Sequence, residues 1–552
     1  MPYQSTFASV RIPEDLDLWS LLFQDGQPPL FPPSQEILTC AETERSYTWA
    51  DIRDASLTFG HGLQTLWSWE KGDVLAFYTP NSIDTPILTL GALWAGATIS
   101  PANPLYTAEE LAFQLRDSSA KALVTQLAYL PTAIEAAKKA SLPLNRIILL
   151  GPKPGPSNSQ FAHFTTLIPS RSSSIQPHKP SLSPTTDIAF LVYSSGTTGL
   201  PKGVCLTHTN MVSNLLQASA TEGKQWPPSR SIQLGILPFF HIFGLTCSVL
   251  LSIYSGWRLI VLERFHLNKA LQAIQKYKIN FAYVPPPVIL AFGKDPLVDQ
   301  YDISSLKCLH SGAAPLTQEL TRAVWDRLKV PVKQGFGLSE TSAVVCCQMI
   351  NEWETFMGSV GKIMPNMEAK IVSEDGREVT HENETGELWL RGPNVFKGYF
   401  KNPEKTKEAF SEDGFFKTGD VFRRDGEGNF YCVDRLKELI KYNGYPVPPA
   451  ELEGILVGHK DVADACVIGI EDKNLATEVP RAYVVLRSGV KADDSKAQEL
   501  VELVATKVAP HKKLRGGIRF VDQVPKSPSG KVLRRLMREQ AKKEERATCS
   551  KL

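Results

Sequence analysis

The chain has 552 residues, 43% of them hydrophobic and 21% charged, which is the make-up of an ordinary globular protein but too long for a single core, so two or more domains are expected. Sixty basic against 58 acidic side chains leave a formal charge of +2, which argues against nucleic acid or an anionic membrane as the main partner. Nine cysteines, at 40, 205, 247, 308, 346, 347, 432, 466 and 549, form no Cys-x-x-Cys pair and no Cys/His cluster at zinc spacing, and read as reduced thiols.

The first residues lack the charged-then-apolar pattern of a secretion signal. From 47 to 262, short β-rich apolar runs alternate with helix-period segments. A strand is predicted at 74–78 and a helix at 87–95, which begins just after Pro86 and is followed by a Pro-rich turn at 101–104. This alternation predicts an α/β fold, with layers around a largely parallel sheet. A shift to Pro and Ser over 151–184 marks a surface loop or tether. A buried strand at 188–193 then enters a Ser/Thr/Gly loop, followed by a strand at 204–207. The most apolar stretch, 235–262, is broken by Pro238, His241, Ser255, Gly256 and Arg258, and reads as a buried core helix rather than a membrane span. Gly, Asp and aromatic residues at turn spacing predict a small β-rich subdomain over about 345–436. After Arg435 the pattern is α+β: helix 449–456, strands 465–470 and 481–486, helix 495–508. The expected boundary, near Lys437, divides a large N-terminal domain, 1–436, from a small C-terminal one, 437–549. The chain finishes Ser550-Lys551-Leu552 behind the hydrophilic run 542–546, the tripeptide read by the peroxisomal import receptor, so a peroxisomal location is expected.

The loop Ser194-Ser195-Gly196-Thr197-Thr198-Gly199-Leu200-Pro201-Lys202-Gly203 brings hydroxyls, glycines and a lysine together in ten residues. Glycines permit close backbone approach, hydroxyls and N–H groups bind phosphate oxygens, and lysine supplies charge, so the loop suits a polyphosphate. It is not a Walker A sequence, because Lys202 is followed by Gly203 and Val204 rather than Ser or Thr.

On this motif the chain resembles the adenylate-forming superfamily of acyl-CoA synthetases, adenylation domains and beetle luciferases, over nearly its whole length. Within it, the chain is most similar to 4-coumarate:CoA ligases and fungal peroxisomal phenylacetyl-CoA ligases. The resemblance implies ATP, Mg²⁺ and coenzyme A as co-substrates or cofactors, with a small-molecule carboxylic acid. It implies that Gln334, Gly335, Phe336 and Gly337 belong to the second core motif, with Phe336 against adenine, Ser339 at the α-phosphate and Glu340 on magnesium, an ion that takes one or two carboxylates with phosphate oxygens and water. Ala313, in Ser311-Gly312-Ala313-Ala314-Pro315-Leu316, would border adenine and acyl group; Asp420 and Arg435 would hold the ribose. Lys531 would be the catalytic lysine bridging substrate carboxylate and α-phosphate. Lys437 would be the pivot of a mobile C-terminal domain, Lys441 a nucleotide contact, and Gly444 a neighbour of the pantetheine tunnel. Asn443 and Pro446 stand where plant relatives carry lysine and glutamine; Arg264 stands at a CoA-contacting lysine position.

A lone His in an apolar run is more often a satisfied core residue, but the run Leu237-Pro238-Phe239-Phe240-His241-Ile242-Phe243-Gly244 matches the acid pocket of the 4-coumarate group and places His241 on its wall. Gly335 and Leu338 would border the same pocket. Phe243, Cys247 and Cys347 replace Tyr, Ser and Met, so the pocket loses two hydroxyls. An apolar aryl-alkanoic or medium-chain fatty acid is therefore expected. Two other outcomes stand beside a CoA ligase: an adenylating enzyme with a carrier protein or other acceptor, and a non-catalytic nucleotide-binding relative.

Overall fold

A computed structural model describes residues 2–23, 29–153, 155, 158, 160–167, 178–194, 201–443, 445–472, 477–527 and 530–549. The alternation in the first half builds an eight-stranded sheet. Its centre, Val74–Tyr78, is buried along its whole length and runs parallel to Thr98–Ala102 and Ala120–Thr125. A parallel strand covered on both faces is a continuous apolar run, and this explains its lack of polar alternation. The helix Asp84–Trp94 follows directly. Ile188–Ser194 extends the sheet in parallel, and Lys202–Thr207 returns antiparallel, with Ser194 paired to Lys202. The two strands that flank residues 195–200 are thus paired with each other up to Ser194 and Lys202. On the outer edge of that pair, Gly398–Tyr399 adds a short strand that joins Tyr399 to Val204.

A nine-stranded sheet lies beside it. Parallel strands Glu36–Cys40, Arg258–Val261, Ile232–Gly235, Phe281–Val284, Cys308–Ser311 and Val332–Leu338 form its body, and Ala343–Cys347 turns back antiparallel. The apolar stretch 235–262 is not one helix. Pro238 and Gly256 divide it into a loop, a buried turn of π-helix at Gly244–Leu250 running into the helix Leu251–Ser255, and the strand Arg258–Val261. Among the described residues no helix is long and apolar enough to cross a membrane.

Glu368–Val372, Gly386–Arg391, Phe416–Arg424 and Phe430–Arg435 form an antiparallel sheet, with Tyr3–Gln4 from the N-terminus at its edge. Beyond it, Val462–Asp472, Thr477–Leu486 and Ile518–Phe520 make a three-stranded sheet with the helices Pro449–Gly458, Asp494–Lys507 and Arg534–Cys549. Leu452 and Ile455 share one buried cluster with Ile289, Leu320 and Val324 of the larger unit. Lys294 Nζ also donates to the Val457 carbonyl at 2.5 Å. The expected α/β architecture with a small α+β unit is the one observed.

Candidate active site

A cleft of about 650 Å³ opens where strands of both large sheets end, bordered by Pro101, Val192 and Tyr193 from one sheet and by His310, Gly312 and Gly335 from the other. Crevices at the carboxyl ends of parallel strands are where open α/β sheets bind ligands. The antiparallel sheet contributes Thr418, Gly419, Asp420 and Arg435, and the C-terminal unit contributes Lys526, Ser527 and Lys531.

Lys202, Ser339, Glu340, Asp420, Arg435 and Lys437 all face this space, although they come from four separate stretches of chain. The edge strand Gly398–Tyr399 fastens two of them together. Tyr399 donates its hydroxyl to Glu340 Oε1 at 3.0 Å, and Lys202 Nζ stands 4.9 Å from the centre of the Tyr399 ring. Burial and the Glu340 carboxylate raise the Tyr399 pKa, so the hydroxyl keeps the proton it donates. Phe336 is fixed edge-on against Phe422, with ring centroids 4.8 Å apart. Gly337 is required by close approach, because a Cβ there would lie 1.5 Å from the Ala343 carbonyl oxygen. Ala313 also lines the cleft, in the left-handed region at φ 71°.

Asp420 is held by its own turn: Gly419, at φ 73°, donates its N–H to Glu387 Oε1 at 2.9 Å, and Asp420 N donates to Thr418 Oγ1 at 3.1 Å. Arg435 Nε lies 3.3 Å from Asp420 Oδ1, while Oδ2 is buried without a hydrogen-bond partner. Burial outweighs Arg435 and lifts the Asp420 pKa to about 6. An orphaned carboxylate oxygen in a cleft is an acceptor waiting for a ligand.

Lys531 sits on a turn clipped at both ends, with its N–H donating to Ser527 Oγ at 3.1 Å and Ser527 N donating to its carbonyl at 2.8 Å. Gly530, at φ 84°, rests against Pro285 and Pro287 of the larger unit. Burial first, then Arg435, lowers the Lys531 pKa to about 8, so the ammonium persists at neutral pH. His241 Nδ1 accepts the Phe243 N–H at 3.3 Å, which leaves the proton of the neutral ring on Nε2. Burial, with Lys531 nearby, lowers its pKa to about 4. It is a fixed neutral donor.

Phe243, Gly335 and Leu338 line the cleft with His241. Cys247 and Cys347, expected there, do not reach it. Cys247 is buried within the π-helical turn, and the Cys347 thiol turns away to donate to Glu222 Oε1 at 3.0 Å. Gln334 is buried behind the cleft, its backbone N–H donating to Gln348 Oε1. Arg264 is exposed, and Lys441, near Glu374 at 3.8 Å, and Asn443, whose N–H donates to Thr477 Oγ1, lie on the surface of the C-terminal unit. They are outside the cleft in this arrangement of the two units. The Ser194 side chain, Ser195, Gly196, Thr197, Thr198, Gly199, Gly444 and Ser550-Lys551-Leu552 lie outside the described residues. Two residues of the cleft had no sequence signal of their own: Tyr399, placed by edge pairing, and His310, one residue before the matched Ser311 motif.

Residues 31–400 match the AMP-binding enzyme family and 451–531 match its AMP-binding enzyme C-terminal domain. The chain is 37% identical over 519 residues to a probable 4-coumarate–CoA ligase 1 of Dictyostelium discoideum, covering 92% of each chain. It is 35% identical over 541 residues to a 4-coumarate–CoA ligase of Pinus taeda, covering 97% of each. Among solved structures, ATP-bound MatB from Rhodopseudomonas palustris superposes with a TM-score of 0.82 at 25% identity, over 95% of this chain and 98% of that one. The chain belongs to the AMP-binding enzyme family of adenylate-forming enzymes and is an acid–thiol ligase.

Proposed function

We propose that the protein is an ATP-dependent carboxylic acid:CoA ligase that works through an acyl-AMP intermediate on an apolar aryl-alkanoic or medium-chain acid. The observation that carries this reading is the presence of Lys531, from the small unit, in one cleft with Lys202, Glu340 and Asp420. In the first half-reaction a carboxylate oxygen attacks the α-phosphorus and pyrophosphate leaves. The Lys531 ammonium offsets the charge that builds on the α-phosphate, and His241 Nε2–H orients the carboxylate. Lys202 binds phosphate oxygens and Asp420 Oδ2 accepts from the ribose. Ser339 offers its hydroxyl to the α-phosphate, and the Glu340 carboxylate fits a hard cation beside polyphosphate and would hold a magnesium ion that neutralises phosphate charge. In the second half-reaction the CoA thiolate attacks the acyl carbonyl and AMP leaves. For this the unit 437–549 pivots at Lys437, withdraws Lys531 and brings the loop bearing Lys441 and Asn443 inward. Val192, Ile242, Phe243, Leu338 and Val344 support an apolar acid.

The test is incubation with ATP, Mg²⁺ and a panel of acids, with and without CoA. CoA-dependent release of AMP is expected; acyl-AMP that CoA does not discharge would overturn the acceptor. Higher kcat/KM for phenylacetate or octanoate than for 4-coumarate is expected, and a clear preference for 4-coumarate would overturn the acid class.

Two further results follow from the geometry. Tyr399→Phe removes the hydrogen bond to Glu340 Oε1 and should raise the KM for MgATP roughly tenfold, about 1.4 kcal/mol, with kcat less affected. The Asp420 pKa is raised, so the group is ionised above about 6 and protonated below it. Adenosine affinity, measured by calorimetry across pH with no titrating phosphate on the ligand, should be level above that value and fall as pH drops through it, by at most about tenfold per unit. Asp420→Asn should bind weakly with a flat profile.

A further inference from the structure

The helix Pro449–Gly458 of the small unit carries little to satisfy its own ends. Pro448 precedes it without a side-chain cap, and its last turn holds no basic residue. The first N–H groups and last carbonyls of a helix need partners from elsewhere, and here the large unit supplies them. At one end Asp434, on the strand Phe430–Arg435 and 3% exposed, accepts the Ala450 N–H on Oδ2 at 3.0 Å. At the other, Lys294, which ends the helix Pro286–Lys294, donates to the Val457 carbonyl at 2.5 Å and to that of His459 at 3.5 Å. A carboxylate at the positive end of a helix and an ammonium at its negative end both complement the aligned peptide dipoles.

Ala450 and Val457 place the two contacts about 10 Å apart along the helix axis. Between them, Leu452 and Ile455 share a buried cluster with Ile289, Leu320 and Val324. Apolar burial is non-directional, so it holds the helix on the large unit without setting its angle. The polar contacts set the angle, because turning the helix about one of them breaks the other.

This orientation is passed on to the cleft. Glu453, in the middle of the same helix, accepts from Arg534 Nη2 at 2.7 Å and Nε at 3.1 Å, a largely buried two-pronged pair, and also takes the Val467 N–H at 2.8 Å. Arg534 stands three residues after Lys531. Lys294 and Asp434 therefore reach Lys531 through one helix and one ion pair, although neither lines the cleft itself.

We propose that Lys294 and Asp434 are positioning residues for acyl-AMP formation: by holding the helix Pro449–Gly458 at both ends, they select the arrangement in which Lys531 enters the cleft, and they release it when the small unit turns for thioester formation. This inference rests on the two-step ligase reading above.

Each half-reaction proceeds from one arrangement, so the ratio of their single-turnover rates follows the ratio of the two populations, whatever its starting value. The rates are measured with phenylacetate, octanoate or 4-coumarate, whichever is turned over fastest, and with its acyl-AMP supplied. Lys294→Met, which keeps the stem and loses the donor, should lower the ratio of adenylation to thioester formation about tenfold, the scale of one charged hydrogen bond. Lys294→Arg, which keeps a cation and its donors, should stay within about threefold of the parent. Asp434→Asn loses the charge that faces the helix and Arg534, and should shift the ratio the same way by several-fold. Any disturbance of the neighbouring Arg435 at the ribose is common to both steps and drops out of the ratio. An unchanged ratio in Lys294→Met, whether or not both steps slow, would overturn the inference and leave the ligase reading intact. Absence of acyl-AMP formation by the unsubstituted protein with all three acids would overturn both. If Lys294→Met does not fold, Asp434→Asn decides by the same ratio.

Discussion

Lys531→Ala is expected to lower acyl-AMP formation by about 100- to 1,000-fold, the usual loss when one donor to a developing charge is removed. Thioester formation from supplied acyl-AMP should stay within about threefold of the unsubstituted protein, because pyrophosphate has already left and the charge that Lys531 offsets is gone. The two steps are separable by single-turnover measurements of pyrophosphate release and of acyl-CoA appearance. The substitution is structurally mild: the turn is held by backbone bonds to Ser527, not by the lysine side chain. An equal loss in both steps would show that Lys531 acts on the whole cleft rather than on adenylation. Its depressed pKa adds a check. The ammonium is present below about 8 and lost above it, so adenylation by the unsubstituted protein should decline as pH rises through that value.

The second large effect concerns stability. Lys333 is 1% exposed and its Glu222 partner 4%, so Lys333→Met leaves a carboxylate buried and unpaired. A loss of about 3–5 kcal/mol is expected, read as a lower urea midpoint for the large unit. Burial alone would raise the Glu222 carboxyl, yet the Lys333 ammonium holds it below its ordinary value; without Lys333 it should take up a proton. Adding Glu222→Leu should recover most of the loss, since removing both charges of a buried pair is far milder than removing one. A single variant as stable as the parent would mean that water reaches the pair.

The fold was legible where one stretch of chain carried its own pattern. The unbroken apolar run at Val74–Tyr78 and the alternation around it give a parallel sheet, and the Ser/Thr/Gly loop ends the strand Ile188–Ser194. The C-terminal elements were found within a few residues of their ends, although Thr477–Leu486 begins four residues before the expected strand. The stretch 235–262 misled because hydrophobicity reports burial, not shape: a loop, a helix and a strand are all equally apolar when they lie in the core. Cys347 was misplaced because a matched position in a motif does not say where its side chain turns; Glu222, 125 residues away, draws the thiol backwards. Tyr399 and His310 were overlooked for a related reason. Each gains its position from pairing with distant strands, which no local window of sequence contains.

The docking of the small unit on the large one has one more consequence. At two of the places where they touch, the residue presented is glycine: Gly530 against Pro285 and Pro287, and Gly454 against Thr317, where a Cβ would come within 2.3 Å of the threonine methyl. The seam is therefore a sliding surface at these points rather than an interlocked one. A body that leaves such a seat has no knob to extract from a hole at these two points, so the resistance to separation falls on the Leu452 and Ile455 contacts instead. A single methyl group added at Gly454 would work as a wedge, biasing the two units towards the parted arrangement without altering any group that touches substrate.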